Sequence, residues 1–451
     1  MKIISNAQDT VLRIMSKFHK SGKADRLLHY CAEVSTEEGV LLLNLLTREL
    51  VLLTEEEYRN LTDNEYLNNH WFTVSEKTND KELADLVEWV LGNQRPKLKT
   101  ITHYTIFTTT DCNARCFYCY ELGRSRIPMS AETAHKVVRY IKDHCGGEEV
   151  KLNWYGGEPL FNQKVIDIIC AELEQAGVKF TSKMISNGYL LDRTTIQKAQ
   201  ECWNLKWVQI TLDGTEEVYN KVKAFIYRQE SPYKVVMENI KHLLDAEITV
   251  HVRMNMDLHN AENLLQLVEE LAHRFEGRKG LHVYAFHLFE EGKPMAGIHT
   301  EEEWDLRDAA MCRLNEKIRQ YGLLSLKGIR ATPKLNHCMA DSGSAVTILP
   351  GGEIGLCDHF SEREFIGHID REGFDQAVVS SWKERIPKIP ECAECFYYPS
   401  CQQLKKCVYT SVCFEQLRRN HRRKTEQAML WEYRKWKNNT ASEMEEETAI
   451  C

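Results

Sequence analysis

The amino-acid sequence predicts an α/β protein: a partial barrel of six strand–helix units, with a small α+β domain before it and a cysteine-rich domain after it. Three observations support this prediction. Candidate strands alternate with helical segments from about residue 102 to 288. Three cysteines follow the first of these strands, and seven more lie between residues 331 and 414. Alternation of this kind is typical of a parallel sheet with right-handed crossovers.

The composition indicates a globular protein of several domains. The chain has 451 residues, too many for one ordinary core, and 43% of them are hydrophobic. Its net charge of −8 argues against nucleic acid as the main partner. We find no long apolar run and no secretory signal near Met1, so we expect a cytoplasmic protein without a membrane partner. In a reducing compartment, clustered cysteines favour metal binding over disulfides.

The first hundred residues are predicted to form the small α+β domain (residues 1–100). Short strands rich in Leu and Val are expected at Leu27–Val34, Gly39–Leu46 and Leu50–Leu53. Thr54 begins an S/T-x-x-E capping box, which predicts a short helix, and a second helix is expected from Asn79 to Leu91. Two interpretations of this domain remain open: an inert brace, or a module that docks a peptide.

The second segment, residues 101–300, is predicted to form the partial barrel. Its short apolar strands are expected at Tyr104–Thr108, Val150–Tyr155, Phe180–Ser186, Trp207–Leu212, Ile248–Met254 and Leu281–Leu288. Its helices are expected at Ala131–His144, Gln163–Ala176, Asp192–Glu201, Lys234–Asp245 and Ala261–Phe275. A closed eight-stranded barrel would need more units. Functional residues of such sheets gather at the carboxyl ends of the strands, where the first cysteine loop lies.

The last third is predicted to comprise a linking helix (301–330), a cysteine-rich domain (331–415) and a C-terminal helix with an acidic tail (416–451). The cysteines of the middle segment are Cys338, Cys357, Cys392, Cys395, Cys401, Cys407 and Cys413. Because this segment is poor in long periodic stretches, we expect it to fold around metal more than around apolar side chains.

The loop after the first strand carries Cys112, Cys116 and Cys119 with the spacing C-x₃-C-x₂-C. A [4Fe–4S] cluster takes four ligands, so three thiolates would leave one iron open. A zinc knuckle with a distant fourth ligand is the alternative. The tetrapeptide Gly156–Pro159 (GGEP) follows the second strand. Its glycines permit close approach of a ligand, and Glu158 could accept from an ammonium group, although a plain turn is also compatible.

Together, the three-cysteine loop and GGEP about forty residues later resemble the signature of radical S-adenosylmethionine (SAM) enzymes. The resemblance implies that Cys112, Cys116 and Cys119 hold a [4Fe–4S] cluster whose open iron binds SAM. Reductive cleavage of SAM would then yield a 5′-deoxyadenosyl radical that abstracts hydrogen atoms.

The same resemblance assigns residues to the cofactor. The amino group of SAM would be held by Gly156, Gly157, Glu158 and Pro159. Tyr118 would lie against the adenine, and Ser186 and Asn187 near the ribose. Arg253 is a candidate for the SAM carboxylate, because a guanidinium pairs with a carboxylate through two hydrogen bonds, but a structural ion pair is equally compatible.

The later cysteines resemble the SPASM domain of radical SAM enzymes, which carries two auxiliary [4Fe–4S] clusters. The resemblance implies that one cluster is held by Cys392, Cys395, Cys401 and Cys413. Cys338, Cys357 and Cys407 would hold the other, with a fourth ligand still to be named. One departure is visible: five residues separate Cys401 from Cys407, where the usual pattern has three. A pair of zinc-ribbon sites is the alternative.

Asp358 directly follows Cys357. An aspartate in this place resembles the residue that accepts a proton in the sulfatase-maturating relatives, so Asp358 is the candidate catalytic residue. The alternative is a loop carboxylate that accepts hydrogen bonds from backbone N–H groups.

These motifs cover about residues 102–414 and, with the N-terminal extension, resemble radical SAM/SPASM enzymes that modify ribosomally made peptides. The expected reaction is hydrogen abstraction from a precursor peptide, followed by a thioether or carbon–carbon cross-link. The expected partners are that peptide and an electron donor such as ferredoxin or flavodoxin. The alternatives are a sulfatase-type formylglycine maturase, a small-molecule radical SAM dehydrogenase and a non-catalytic zinc-binding scaffold.

Overall fold

The computed structural model describes residues 1–6, 9–18, 22–92, 100–119, 121, 125–227, 231–288, 300–324, 329–330, 333, 338–359, 364–392, 395–401, 403–407, 413 and 415–448. Every predicted site residue falls within these ranges. Parts of the predicted linking and cysteine-rich segments, residues 325–328 and 334–337 among them, lie outside the described residues.

The N-terminal region combines short helices with two small antiparallel sheets. Its elements are β1 (Lys2–Ser5), α1 (Asp9–Met15), β2 (Arg26–Leu27), β3 (Cys31–Thr36), β4 (Gly39–Asn44), β5 (Leu50–Leu53), α2 (Glu55–Arg59), α3 (Glu65–Asn69), β6 (Thr73–Val74) and α4 (Asp80–Gly92). One sheet has the order β1-β5-β4-β3, and the other pairs β2 with β6. The predicted single strand Leu27–Val34 is therefore wrong: it is divided between two sheets, because Leu28 donates its N–H to the carbonyl of Phe72.

The central sheet contains the six predicted parallel strands. The elements are β7 (His103–Thr109), α5 (Ala131–His144), β8 (Val150–Gly156), α6 (Gln163–Gln175), β9 (Phe180–Ser186), α7 (Arg193–Glu201), β10 (Leu205–Thr211), α8 (Glu216–Lys223), α9 (Pro232–Asp245), β11 (Thr249–Met256), α10 (Ala261–Arg274) and β12 (Leu281–His287). These strands lie side by side in chain order, and all neighbours are parallel. The predicted strands and helices are confirmed to within two residues. An open parallel sheet of this kind is consistent with a partial barrel.

Alternation along the strands separates the core from the interior of the barrel. On β11, Val250, Val252 and Met254 are fully buried in the main core, whereas His251 and Arg253 are partly exposed. Because successive side chains of a strand point to opposite faces, the polar set lines the interior. The helices cover the apolar face, and functional side chains are free to occupy the interior.

The cysteine-rich segment extends this sheet. After α11 (Glu301–Gln320) come β13 (Ala345–Ile348), β14 (Glu353–Gly355), β15 (Gly367–His368), α12 (Gln376–Trp382) and α13 (Glu415–Thr448). β13 pairs parallel with β7, and β14 and β15 continue the sheet antiparallel. Val346, Ile348 and Trp382 belong to the main core. The segment thus contributes strands and apolar mass, which the sequence prediction missed. In the described ranges, no helix combines the length and apolar character that a membrane crossing requires.

A second core joins the two ends of the chain. Tyr30, Leu83 and Val87 of the N-terminal region pack in one cluster with apolar residues of the last cysteine block and α13, namely Phe396, Tyr398, Met429 and Tyr433. The Tyr398 hydroxyl donates to Asp85 at 2.6 Å. The N-terminal region is therefore fixed to the cysteine-rich segment by apolar packing and by hydrogen bonds.

The capping box at Thr54 yields a prediction for Thr54→Ala. The Thr54 hydroxyl accepts from the N–H of Glu57 at 3.2 Å, and Glu57 accepts from the N–H of Thr54 at 2.9 Å. Loss of such a cap costs about 1 kcal/mol of helix stability. Hydrogen exchange at the amides of Tyr58 and Asn60 should become about fivefold faster, and Thr54→Ser should retain the original rate. Unchanged exchange in Thr54→Ala would contradict the cap.

Candidate functional site

The three-cysteine loop begins directly after β7 and is held by the end of α8 and the segment that follows it. The N–H of Arg115 donates to the carbonyl of Lys223 at 2.8 Å, and that of Ile226 to the carbonyl of Asn113 at 2.9 Å. Burial, together with the charges of Glu158, Cys116 and Cys119, raises the pKa of Cys112 to about 12. The structure therefore brings the three predicted thiols together at the carboxyl end of β7.

Hydrogen-bond donors surround the Cys112 thiol. The N–H of Ala114 lies 3.3 Å from its Sγ, and the Asn187 Nδ2 lies 3.7 Å from it. Asn113 is fully buried, and within the described residues its Nδ2 has no acceptor. Thiolates and inorganic sulfides accept such hydrogen bonds, which tune the cluster. The loop thus fits the iron–sulfur cluster that the resemblance implies, with Cys112, Cys116 and Cys119 as its ligands.

The two glycines of GGEP lie against the backbone that enters this loop. A Cβ on Gly156, whose φ is +119°, would stand 2.1 Å from the carbonyl oxygen of Thr109, and one on Gly157 would stand 2.3 Å from that of Asp111. The N–H of Gly157 donates to Thr109, and that of Glu158 to Asp111. Glycine is required here because two backbone segments meet without room for a side chain.

Glu158 is fully buried and joins two strands. Its carboxylate accepts from the Ser186 hydroxyl at 2.9 Å, the N–H of Asn187 at 2.8 Å and the N–H of Leu160 at 3.2 Å. Burial raises its pKa to about 7, although these donors oppose the shift. Pro159 accepts from the Thr108 hydroxyl through its carbonyl. The predicted cofactor residues of β8 and β9 thus form one connected group, and the contact of Glu158 with a SAM ammonium stays a prediction.

Tyr118 contacts a buried ion pair that the sequence prediction missed. Its hydroxyl donates to Asp213 at 2.5 Å and accepts from the Lys223 ammonium at 2.8 Å. The two charged groups are 3.0 Å apart, with side chains 2% and 5% exposed. Burial would lower the pKa of Lys223, but Asp213 and Tyr118 hold it well above its usual value. Asp213 follows β10, where functional residues gather. Lys223 lies on the polar helix α8, and nothing in the sequence around it indicates a functional role.

Arg253 lies on β11, where its Nε donates to Asn255 at 2.9 Å and its guanidinium carbon lies 4.8 Å from the Phe286 ring centroid. In the described part of the chain it has no carboxylate partner, so the structural ion pair considered above does not form there. Its role toward a SAM carboxylate stays a prediction.

The first group of later cysteines comprises Cys338, Cys357 and Cys407. Burial raises the pKa of the Cys357 thiol, and Asp358, Cys338 and Cys407 add to the shift, so these groups are neighbours. The N–H of His359 lies 3.3 Å from the Cys357 Sγ. All three cysteines pack against the main core.

A cavity of about 640 Å³ lies between the interior side of β7–β10 and the segment that carries this group. Asn153, Lys183 and Trp207 line it from the strands, and Cys338 and Asp358 line it from the other side. Within the described residues, the one hydrogen-bond partner of the Asp358 carboxyl is the Cys357 thiol, at 3.8 Å. The described residues therefore do not show the alternative arrangement, in which this carboxylate accepts hydrogen bonds from backbone N–H groups.

The second group comprises Cys392, Cys395, Cys401 and Cys413, which line one smaller cavity together. Burial raises the pKa of Cys401 to about 11, and the other three cysteines contribute. The two groups have the same members as the two ligand sets that the resemblance implies. In the part of the chain that is described, no three His, Cys, Asp or Glu side chains are close enough to ligate a single metal ion.

Arginines approach this second group from separate parts of the chain. The Arg418 Nη1 lies 3.6 Å from the Cys413 Sγ, and the Arg48 Nη2 donates to the Ser400 hydroxyl at 2.6 Å, next to Cys401. Burial lowers the pKa of Arg48 to about 10. Thiolate-ligated clusters carry net negative charge, so nearby guanidinium groups fit a cluster at these four cysteines.

Comparison with known proteins places these residues in a wider context. A sequence-family model described as the radical SAM superfamily matches residues 106–272. The probable GTP 3′,8-cyclase of Archaeoglobus fulgidus is 33% identical in an alignment 308 residues long, which covers 64% of this chain and 96% of that protein. About a third of this chain therefore lies outside that alignment.

Two solved structures share the fold. That of anSMEcpe with bound AdoMet covers 74% of this chain and 100% of that chain, with a TM-score of 0.55 and 13% identity. That of Streptococcus suis SuiB bound to the precursor peptide SuiA covers 85% and 99%, with a TM-score of 0.51 and 12% identity. At these identities the likeness concerns the fold.

The close contact at Gly157 yields a prediction for Gly157→Ala. The added methyl would overlap the carbonyl oxygen of Asp111 and displace the backbone that leads to Cys112. We expect less iron per chain in anaerobically purified protein and a weaker signal from a SAM-binding cluster in electron paramagnetic resonance. Gly92→Ala is the matched control, because no atom of the described residues lies within 4 Å of its new methyl. Full iron in Gly157→Ala would contradict the steric argument.

The buried ion pair yields a second prediction. Asp213→Asn leaves the Lys223 charge buried without its carboxylate, which should cost about 3–5 kcal/mol of stability. The double variant Asp213→Asn, Lys223→Met should recover most of this loss, since it removes the uncompensated charge. Thermal unfolding followed by circular dichroism measures both. Equal melting temperatures for the single and double variants would argue against the pair.

Proposed function

Because the chain belongs to the radical SAM superfamily, we propose that it abstracts a hydrogen atom from a precursor peptide and installs an oxidative cross-link in it. Membership in the superfamily implies a [4Fe–4S] cluster and SAM. When bound, they supply a 5′-deoxyadenosyl radical. The chain's own residues must hold the cofactors, orient the peptide, exclude water and accept the proton that is released.

Cofactor binding is assigned to the carboxyl ends of β7, β8 and β9. Cys112, Cys116 and Cys119 would ligate the cluster, and Gly156–Pro159 with Ser186 and Asn187 would contact SAM. The chain of contacts from Glu158 through Asn187 to the Cys112 thiol supports this assignment, since it couples the proposed SAM residues to the cluster loop. Tyr118 and Arg253 complete the proposed set.

The observation that carries the proposal is the cavity between the strands and the C-terminal segment. Its volume of about 640 Å³ lies in the range of substrate sites. It is lined by the barrel interior on one side and by Cys338 and Asp358 on the other. A peptide side chain bound there would lie beside Cys338 and Asp358 and inside the strands whose carboxyl ends carry the proposed cofactor residues.

Asp358 is proposed to accept a proton in this cavity. Removal of a hydrogen atom leaves a carbon radical on the peptide. Closure of a thioether or carbon–carbon bond then releases one proton and one electron. The Asp358 carboxylate takes the proton. Cys338, Cys357 and Cys407 would hold an auxiliary cluster, which would supply an electron acceptor beside the cavity. Cys392, Cys395, Cys401 and Cys413 would hold the second one.

The N-terminal region is proposed to bind the leader of the peptide. β3 forms an edge of its sheet and pairs only with β4 in the described sheet. An extended peptide can add a strand to such an edge through backbone hydrogen bonds. Two solved structures of similar fold are described with bound peptides, SuiA in one and Cp18Cys in the other.

A second candidate function is cyclisation of a nucleotide. The 33% identity with the probable GTP 3′,8-cyclase favours it, and that relative is covered almost completely. The third of this chain outside that alignment favours the peptide. A formylglycine maturase would act on a short peptide containing Cys or Ser and leave no cross-link, and a small-molecule dehydrogenase would need no peptide at all.

The test is an anaerobic incubation of the full chain with SAM, a reductant and the peptide encoded beside its gene. We expect 5′-deoxyadenosine and a peptide that is lighter by two hydrogen atoms, with a cross-link located by tandem mass spectrometry. A parallel incubation with GTP serves as the competing arm. Turnover of GTP without change in the peptide would overturn the proposal.

The proposed role of Asp358 yields a further prediction. Asp358→Asn should lower the rate of cross-linking by about 100-fold, because the amide cannot accept the proton. Iron content and SAM cleavage without peptide should be unchanged. Asp370→Asn is the matched control, since this partly exposed carboxylate pairs with Lys136 outside the cavity. Equal cross-linking by Asp358→Asn and the unsubstituted enzyme would remove Asp358 from the mechanism.

A further inference from the structure

We propose that the cavity between the strands and the C-terminal segment binds an acidic side chain of the substrate, an Asp or Glu carboxylate, through basic groups of the sheet. This inference rests on the proposed function and names the substrate feature that the site selects. Each of the four neighbouring strands β7, β8, β9 and β10 contributes one basic residue to the lining of this cavity: His103, Lys151, Lys183 and Lys206.

Three of these basic groups, His103, Lys151 and Lys183, are close enough to interact. His103 on β7 lies directly opposite Lys151 on β8 in the register of the sheet. Burial lowers the pKa of His103, and the charges of Lys151 and Lys183 lower it further. The Lys183 ammonium lies 4.9 Å from the ring centroid of Trp207, which also lines the cavity. The cavity therefore concentrates positive charge on adjacent strands.

Little negative charge opposes this cluster. Asp358 is the one acidic residue among those described as lining the cavity. Within the described residues, neither Lys151 nor Lys206 has a carboxylate within ion-pair distance. Like charges on neighbouring strands destabilise a sheet. An anionic ligand would relieve this repulsion, and focused positive potential in a cleft attracts such ligands.

A hydrogen-bond acceptor beside these cations favours a peptide, which carries N–H donors, as the source of the carboxylate. Asn153 on β8 is 8% exposed, and its Oδ1 has no donor among the described residues, whereas its Nδ2 donates to Thr105. A bound peptide offers a backbone N–H for this oxygen and a side-chain carboxylate for the lysines. A nucleotide phosphate shares the anionic chemistry, so the experiment separates the two sources.

The experiment measures binding by calorimetry at low salt, with the full chain and without SAM or reductant. The probes are pentaglutamate, pentaglutamine and inorganic pyrophosphate. We expect pentaglutamate to bind, pentaglutamine to bind at least tenfold more weakly, and the double variant Lys151→Gln, Lys206→Gln to lose about tenfold in affinity for pentaglutamate. Lys142→Gln, at an exposed position on α5, is the matched control and should bind like the original chain.

Three results of this binding experiment would overturn the inference: equal binding of pentaglutamine, unchanged affinity in the double variant, or pyrophosphate binding that depends on both lysines while pentaglutamate does not bind. The last result would assign the cavity to a phosphate. Because the binding measurements need no turnover, they test the inference even if the proposed reaction is wrong. Conversely, cross-linking that is insensitive to both lysines would overturn the inference while the proposed reaction stands.

Discussion

The buried carboxylate of Glu158 is the constraint on which the rest of the site depends. It receives donors from the end of β9 and from its own turn after β8, and it thereby fixes Asn187 beside the Cys112 thiol. A fully buried carboxylate is costly unless its oxygens are hydrogen-bonded. The three donors meet that requirement, and in doing so they hold two strand ends and the cysteine loop in one arrangement. The backbone contact made by Gly156 and Gly157 keeps this group against the end of β7.

The cavity shows how two parts of the chain build one site. Neither the barrel strands nor the segment after residue 338 encloses it alone, since each supplies one side. β13 makes this possible, because its parallel pairing with β7 fixes the C-terminal segment at the edge of the sheet next to the cluster loop. What is attached to the edge of such a barrel can therefore change the site that the strands help to form.

Sequence patterns predicted most of the barrel because each of its strands and helices is marked by a pattern within a short stretch of the chain. Apolar periodicity located all six strands from β7 to β12, and the family resemblance carried by the cysteines assigned the two groups that the structure brings together. The predictions that were wrong or missing concern contacts between residues that are distant in the sequence. Leu27–Val34 has strand-like composition throughout, yet tertiary pairing divides it between two sheets. β13–β15 are too short to stand out from the surrounding loops. Lys223 carries no local sign that it will be buried against Asp213, since only the fold brings them within 3.0 Å.

The core shared by the two ends of the chain has a consequence for how such enzymes diversify. Tyr30, Leu83 and Val87 bury their side chains against residues near the second group of later cysteines, and Arg48 donates to the hydroxyl of Ser400, next to Cys401. Loss of the N-terminal region would expose this apolar surface and remove a guanidinium group from beside the four cysteines. The two segments should therefore have been inherited, exchanged and lost as a pair. Within this superfamily, an N-terminal region of this kind should accompany a four-cysteine block whose surface is apolar, and should be absent where that surface is polar.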